Sequence, residues 1–261
     1  MLRTRIITAV IALVVLGVVL FVIPPRLAEL FIAGVVLAGA WEWSGFLGVS
    51  GTVSRSAYTA VIGVLVVATY LLLPVVTVAV LQIAFLWWFA AFIWTLFFPT
   101  PIPLIARTIV GALVLVPMFL ALIVLYRMGP LVLLLALLIV WAADAGAYFA
   151  GKKFGRVKLA PSISPGKTWE GVFGGLAAVA LLAIAVAQWS NVSLAVLLPF
   201  CLAVAALSVV GDLTVSMFKR TAGVKDSGSL FPGHGGVLDR VDSVAAAAPL
   251  FALGLRWLEL V

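Results

Sequence analysis

The amino-acid sequence predicts an all-α integral membrane protein of about nine transmembrane helices, with a cytoplasmic N-terminus and the C-terminus outside. Three observations carry this expectation. Of 261 residues, 66% are hydrophobic and only 10% are charged, where a soluble domain carries roughly 25% charged residues. Long apolar runs such as 131–140 lack the period-two alternation of a membrane barrel. Backbone groups in lipid must bond within their own segment, so these runs are read as helices. The basic residues, finally, fall unevenly between the runs.

Runs of about 17–25 apolar residues are the unit to count. They fall near 6–23, 28–47, 57–73, 76–97, 109–126, 130–150, 170–188, 193–215 and 243–258. Between them stand polar residues, Gly or Pro, as at Pro24-Pro25, Pro74, 99–103 and 128–130. The first run follows Arg3 and Arg5 as a signal peptide would, but it ends at Pro24-Pro25 with no small-residue cleavage site, and is read as an uncleaved span. With the N-terminus inside, the cytoplasmic segments hold Arg3, Arg5, Arg55, Arg107, Lys152, Lys153, Arg156, Lys158, Lys167, Lys219, Arg220, Lys225 and Arg240. Only Arg26, Arg127 and Arg256 fall outside, as the positive-inside rule requires. The net charge of +7 then reflects loops facing anionic headgroups, and no nucleic-acid partner is expected. The lone Cys201 lies in an apolar run and is read as a packing residue. No soluble domain can be carved out. Residues 1–126 are read as N-terminal membrane helices, and 127–261 as a catalytic half with two cytoplasmic loops, 151–169 and 216–242.

Carboxylates in or near spans are informative, because each is costly unless paired or hydrated. Asp144 and Asp212 lie inside apolar runs near their cytoplasmic ends, which suggests a polar cavity open to that side. If the helix carrying Asp212 continues through Arg220, then Asp212, Ser216 and Lys219 share one face. Asp239 and Asp242 share a face of the next span. Between them, 232–236 reads Pro-Gly-His-Gly-Gly, a loop whose backbone N–H groups can approach an anion. Three carboxylates converging with Lys and Arg suit a divalent metal and phosphate. Glu29 and Glu259 are expected to be solvated near the outer ends, and Glu42, between Trp41 and Trp43, to be an interface feature. Gly166-Lys167-Thr168 has the tail of a P-loop, yet Pro161 stands where the first glycine belongs, and no preceding strand is expected.

The stretch from Ser216 to Asp242, with Met217-Phe218-Lys219-Arg220, Lys225-Asp226, the glycine loop around His234 and Asp239-Arg240-x-Asp242, closely resembles the signature of the phosphatidate cytidylyltransferases, or CDP-diacylglycerol synthases. Gly211-Asp212-Leu213, Trp141 to Tyr148 and Ser164 to Gly171 are similar to the same family. The clear resemblance covers about 140–243; residues 1–125 share only their apolar, multi-span character.

That resemblance implies transfer of CMP from CTP to phosphatidate, with release of pyrophosphate. It implies metal near Asp212, Asp239 and Asp242, with Mg²⁺ essential and a second cation left open. Lys219, Arg220, Lys225 and Arg240 would hold phosphate groups, and His234, Gly235 and Gly236 would shape the phosphate loop. Ser164, Lys167, Thr168 and Ser216 would contact substrate. Asp144 would line the cavity or pair with a Lys, while Lys152, Lys153 and Arg156 would meet headgroups. Family habit suggests a homodimer in a bacterial inner membrane. Two rivals stand beside this reading. An ion-coupled transporter is suggested by the intramembrane acids but lacks an evident inverted repeat. A CTP-dependent enzyme acting on another lipid is opposed by the length of the signature. The Asp-Gly-x2-Ala-Arg motif of the CDP-alcohol phosphotransferases is absent.

Overall fold

A computed structural model of the chain describes residues 2–48, 51–190, 192–230 and 235–258, with the side chains of 2–6 excepted. His234 and Glu259 therefore lie outside the described residues, as do Phe231, Pro232 and Gly233. Among the described residues the chain forms α1 (Leu2–Phe21), α2 (Pro25–Ser44), α3 (Thr52–Leu71), α4 (Leu73–Leu96), α5 (Leu104–Met128) and α6 (Pro130–Phe154). A small antiparallel hairpin follows, β1 (Lys158–Ala160) and β2 (Ser164–Thr168), and then α7 (Trp169–Trp189), α8 (Leu194–Thr221) and α9 (Leu238–Trp257).

Local chemistry explains where these helices begin. Pro25 and Pro130 occupy the first turns of α2 and α6, where the missing N–H is no loss. Pro103 precedes α5, so that helix starts at Leu104 rather than near 109. Thr168 caps α7, its hydroxyl accepting from the Gly171 N–H at 3.2 Å. Three prolines lie inside helices: Pro117 and Pro249, buried among neighbouring helices, and Pro199, exposed near the start of α8.

Seven helical segments, from α2 to α8, are long and apolar enough to cross a membrane. Helix α9 is different. It carries Asp239, Arg240 and Asp242 in its first turns and an alanine run, Ala245–Ala248, that is almost completely buried. Helices α2, α4, α5, α6 and α8 pack around it, so it is the core of the bundle. Small side chains let these neighbours approach closely. At Gly211 of α8 an added Cβ would lie 2.6 Å from the Asp242 carbonyl oxygen.

The pair α6 and α7 has the most extensive contact in the fold. Gly146 and Gly175 make the crossing possible: a Cβ on either would come within 2.6 Å of a backbone oxygen of the other helix, of Gly174 and Ala143 respectively. Gly171 and Gly175 have the small-xxx-small spacing of close membrane crossings.

Polar groups segregate to the two ends of the bundle. At one end Glu29 at the start of α2 accepts from Arg127 at the end of α5 (2.6 and 3.2 Å) and from the Tyr70 hydroxyl at the end of α3 (2.6 Å). Glu29 is thus buried and ion-paired rather than solvated. At the other end Arg55 donates to the Trp41 carbonyl and the Ser44 hydroxyl, and Arg107 to the carbonyls of Phe46 and Ile102. The hairpin, Lys219 and the start of α9 belong to this second end.

The hairpin departs from the loop expected over 151–169. Helix α6 runs on to Phe154, and the chain then turns back on itself with Lys158 opposite Thr168 and Ala160 opposite Ser164. Such a short pair has no hydrophobic alternation to announce it. It is held by long-range contacts: Ile163 is buried, and its carbonyl accepts from Arg220 Nε at 3.1 Å. Glu170 accepts from the Val157 N–H at 3.1 Å. A strand therefore does precede Pro161, but Gly166-Lys167-Thr168 lies within β2 and forms no phosphate loop.

Candidate active site

Helix α8 continues to Thr221, so Asp212, Ser216 and Lys219 do share a face. The Ser216 hydroxyl donates to Asp212 Oδ1 at 3.1 Å. Asp212 Oδ2 pairs with Lys167 Nζ at 2.6 Å, which ties the hairpin to α8. Lys219 Nζ donates to Asp239 Oδ1 at 2.8 Å and stands 3.9 Å from Asp242 Oδ2, which ties α8 to α9. Asp212 is close enough to act electrostatically on both Asp144 and Asp242, and Arg240 acts on Asp144. Carboxylates from α6, α8 and α9 thus share one group of cations.

Asp239 is committed within the protein. Its second oxygen accepts from the backbone N–H groups of Ser227 and Gly236, both at 2.9 Å. Gly235 takes a positive φ of 83°, and a Cβ there would meet Asp239 Oδ2 at 2.6 Å. Asp239 therefore organises the chain entering α9 as well as binding Lys219.

A cavity of about 450 Å³ opens beside this group. Asp144, Lys152, Lys167 and Asp212 supply its charged part. Ala147, Val172, Leu176 and Val209 are among its apolar walls, while Gly166 and Thr168 also line it. The close crossing of α6 and α7 forms one side. An anionic group could meet Lys167 and Lys152 here while an apolar body lies against the walls.

Other residues named from sequence have structural partners of their own. Thr168 serves as the cap of α7, and Ser164 pairs within the hairpin. Arg220 Nε holds the hairpin at Ile163. Lys225 is exposed in the segment before α9. Lys152 lies over the Tyr148 ring at 5.7 Å and Lys153 over Phe154 at 5.2 Å. Among the described residues no three carboxylate, His or Cys side chains stand close enough together to hold a metal by themselves.

Glu42 is the residue that sequence reasoning missed. It is buried, and its two oxygens accept from the N–H groups of Val237 (2.9 Å) and Leu238 (2.8 Å) and from the Ser227 hydroxyl (2.8 Å). The signal available was a carboxylate flanked by tryptophans at the site end of a span. Its partners lie almost 200 positions away, beyond any local pattern.

A bundle of apolar helices with lysines and carboxylates gathered at one polar end, beside a half-apolar cavity, is the build of an integral membrane protein with a charged site suited to an anionic, partly apolar ligand. The sequence pattern of the cytidylyltransferase family matches residues 3–258, and the chain belongs to that family of nucleotidyltransferases. It is 45% identical to a phosphatidate cytidylyltransferase of Pseudomonas aeruginosa, over 98% of this chain and 97% of that protein. It is 36% identical to the phosphatidate cytidylyltransferase of Haemophilus influenzae, over 97% and 98%. The same-named protein of Brucella suis is 49% identical over 46% of each chain.

Proposed function

We propose that this chain transfers the cytidylyl group of CTP to the phosphate of phosphatidate, giving CDP-diacylglycerol and pyrophosphate. A phosphate oxygen of the lipid attacks the α-phosphorus of CTP, and the bond from that phosphorus to the oxygen bridging to the β-phosphate breaks. The nucleophile is already anionic, so positioning and charge neutralisation suffice and no strong base is required. The observation that carries the reading is the Lys167–Asp212 pair lining a cavity with apolar walls, with Asp212 on the helix face that also carries Lys219, the partner of Asp239 and Asp242. Full-length similarity to two phosphatidate cytidylyltransferases supports the choice of substrates.

Lys167 and Lys219 are assigned to phosphate oxygens, with Arg240 and Arg220 as further cations of the group. Mg²⁺ characteristically takes one or two carboxylates and completes its shell with water and substrate phosphates. Asp212 and Asp242, hard oxygen donors within electrostatic reach of each other, fit that requirement. Asp239 would have to release Lys219 or the two backbone amides to join them. When bound, the ion would neutralise charge on the triphosphate and the departing pyrophosphate. Purified protein given radiolabelled CTP and phosphatidate is expected to form lipid-linked CMP with Mg²⁺ and none without it. No lipid-linked product in either condition overturns the assignment.

The site end is assigned to the cytoplasm, where CTP is available, in a bacterial inner membrane. Nine spans, α1 and α9 included, give this orientation, and the basic residues of Arg55, Arg107 and the hairpin favour it. A reporter fused to the C-terminus is expected on the outer side; a cytoplasmic reporter signal would overturn the topology.

A further inference from the structure

We infer that Glu42 of α2 is a positioning residue for the phosphate-handling group, clamping the entry to α9 from the N-terminal half of the protein. This rests on the reading that Lys219, Asp239 and Asp242 handle phosphate. Helix α9 begins at Leu238, and Val237 at its N-cap offers no side-chain bond to the first turn. The orphan N–H groups of a helix start need acceptors. Glu42 supplies them from another helix, taking Val237 N–H on Oε1 and Leu238 N–H on Oε2. Its negative charge there also opposes the positive end of the helix dipole.

The third bond extends the clamp. Ser227 donates its hydroxyl to Glu42 and its backbone N–H to Asp239. Asp239 in turn holds Lys219, and Lys219 stands beside Asp242. One continuous set of bonds therefore joins α2 to the cation between the two acids of α9. The glycines nearby are spaced for it. A Cβ on Gly228 or Gly236 would strike the Glu42 carboxylate. Gly236 reads in sequence as part of a phosphate loop; in the fold it and Gly228 leave room for an acid from α2. Burial keeps the carboxylate from water, so each bond is stronger and each lost partner is costlier than at a surface.

A residue that only packs would alter stability and leave substrate affinity alone. A clamp on the phosphate-handling group alters both the local amides and the use of CTP. In the full-length protein, Glu42→Gln is expected to lower kcat by about tenfold, the effect of weakening one charge-assisted bond, and to raise the KM for CTP. Hydrogen exchange measured without substrate is expected to accelerate at residues 236–238 while the middle of α8 stays protected. The exchange readout is independent of which lipid the enzyme uses, so a failure of the proposed reaction leaves it intact. A wild-type KM with unchanged exchange overturns the inference. So does a loss of activity that only follows a lower thermal midpoint, with KM unchanged. If Glu42→Gln does not accumulate as folded protein, Ser227→Ala carries the same test, because it leaves both amide bonds in place. With Ser227→Ala, exchange at 237 and 238 is expected to hold; a raised KM for CTP supports the clamp, and a wild-type KM overturns it.

Discussion

Replacing Asp212 by asparagine is expected to reduce cytidylyl transfer by about a thousandfold, the scale of removing a main electrostatic contact to a transferring phosphoryl group. The substitution keeps the shape and removes the charge. Ser216 can still donate to the remaining oxygen, but Lys167 loses its anion at 2.6 Å. Asp242 is left as the single carboxylate of the pair assigned to Mg²⁺. The side chain stands at the cavity mouth with about a quarter of its surface open, so the fold has little reason to change. The radiolabelled-CTP assay, run as a Mg²⁺ titration beside a thermal melt, checks this. The midpoint for Mg²⁺ should move to higher concentration and the melting temperature should hold. Turnover within about tenfold of wild type would remove Asp212 from the phosphate-handling group. Asp239 gives an informative contrast: its asparagine variant also disturbs two backbone amides, so local exchange should change there and not at Asp212.

The second large effect is expected at the crossing of α6 and α7. In Gly175→Val the new Cβ would sit 2.6 Å from the Ala143 carbonyl oxygen and 3.4 Å from the Ala143 Cα. Backbone cannot swing aside as a side-chain tip can, so the helices must separate. The cost is about 3 kcal/mol, the upper part of the usual overpacking range. Separation also moves Asp144 and Lys152 away from Lys167 and opens one wall of the cavity. Thermal unfolding in detergent should show a lower midpoint, and activity should fall with it. Gly175→Ala is the graded control, with a smaller loss of both. A valine variant that melts like wild type would show that the helices do not need this approach.

Helical periodicity alone makes part of the site legible in the sequence. The i, i+4 spacing of Asp212 and Ser216 and the i, i+3 spacing of Asp239 and Asp242 place each pair on one face, and the bonds to Ser216 and Lys219 bear both out. The apolar runs match helices because membrane spans are long and locally determined. What escapes depends on distance in sequence. Lys167 and Asp212 are both recognisable, yet nothing local pairs them, since the hairpin must fold before the lysine faces α8. Glu42 between two tryptophans reads as a headgroup-level acid until α9 is placed against α2. The hairpin itself has too few residues to show a strand pattern. The Gly171–Gly175 spacing is readable, but only the opposing carbonyl oxygens reveal how close the helices must come.

Helix α9 has a consequence for how the enzyme is made. A ribosome releases the chain from its N-terminus, so α9 is made after α2, α4, α5, α6 and α8, the helices that surround it in the finished protein. Those earlier arrivals must leave a space that lipid or loosely held neighbours fill for a time. Helix α9 is rich in alanine and charged at its start, so it is a poor candidate to partition into lipid by itself. The contacts that bury it are with helices made before it. Until α9 docks, Lys219 has neither Asp239 nor Asp242 beside it, and the charged group at this end of the bundle is incomplete.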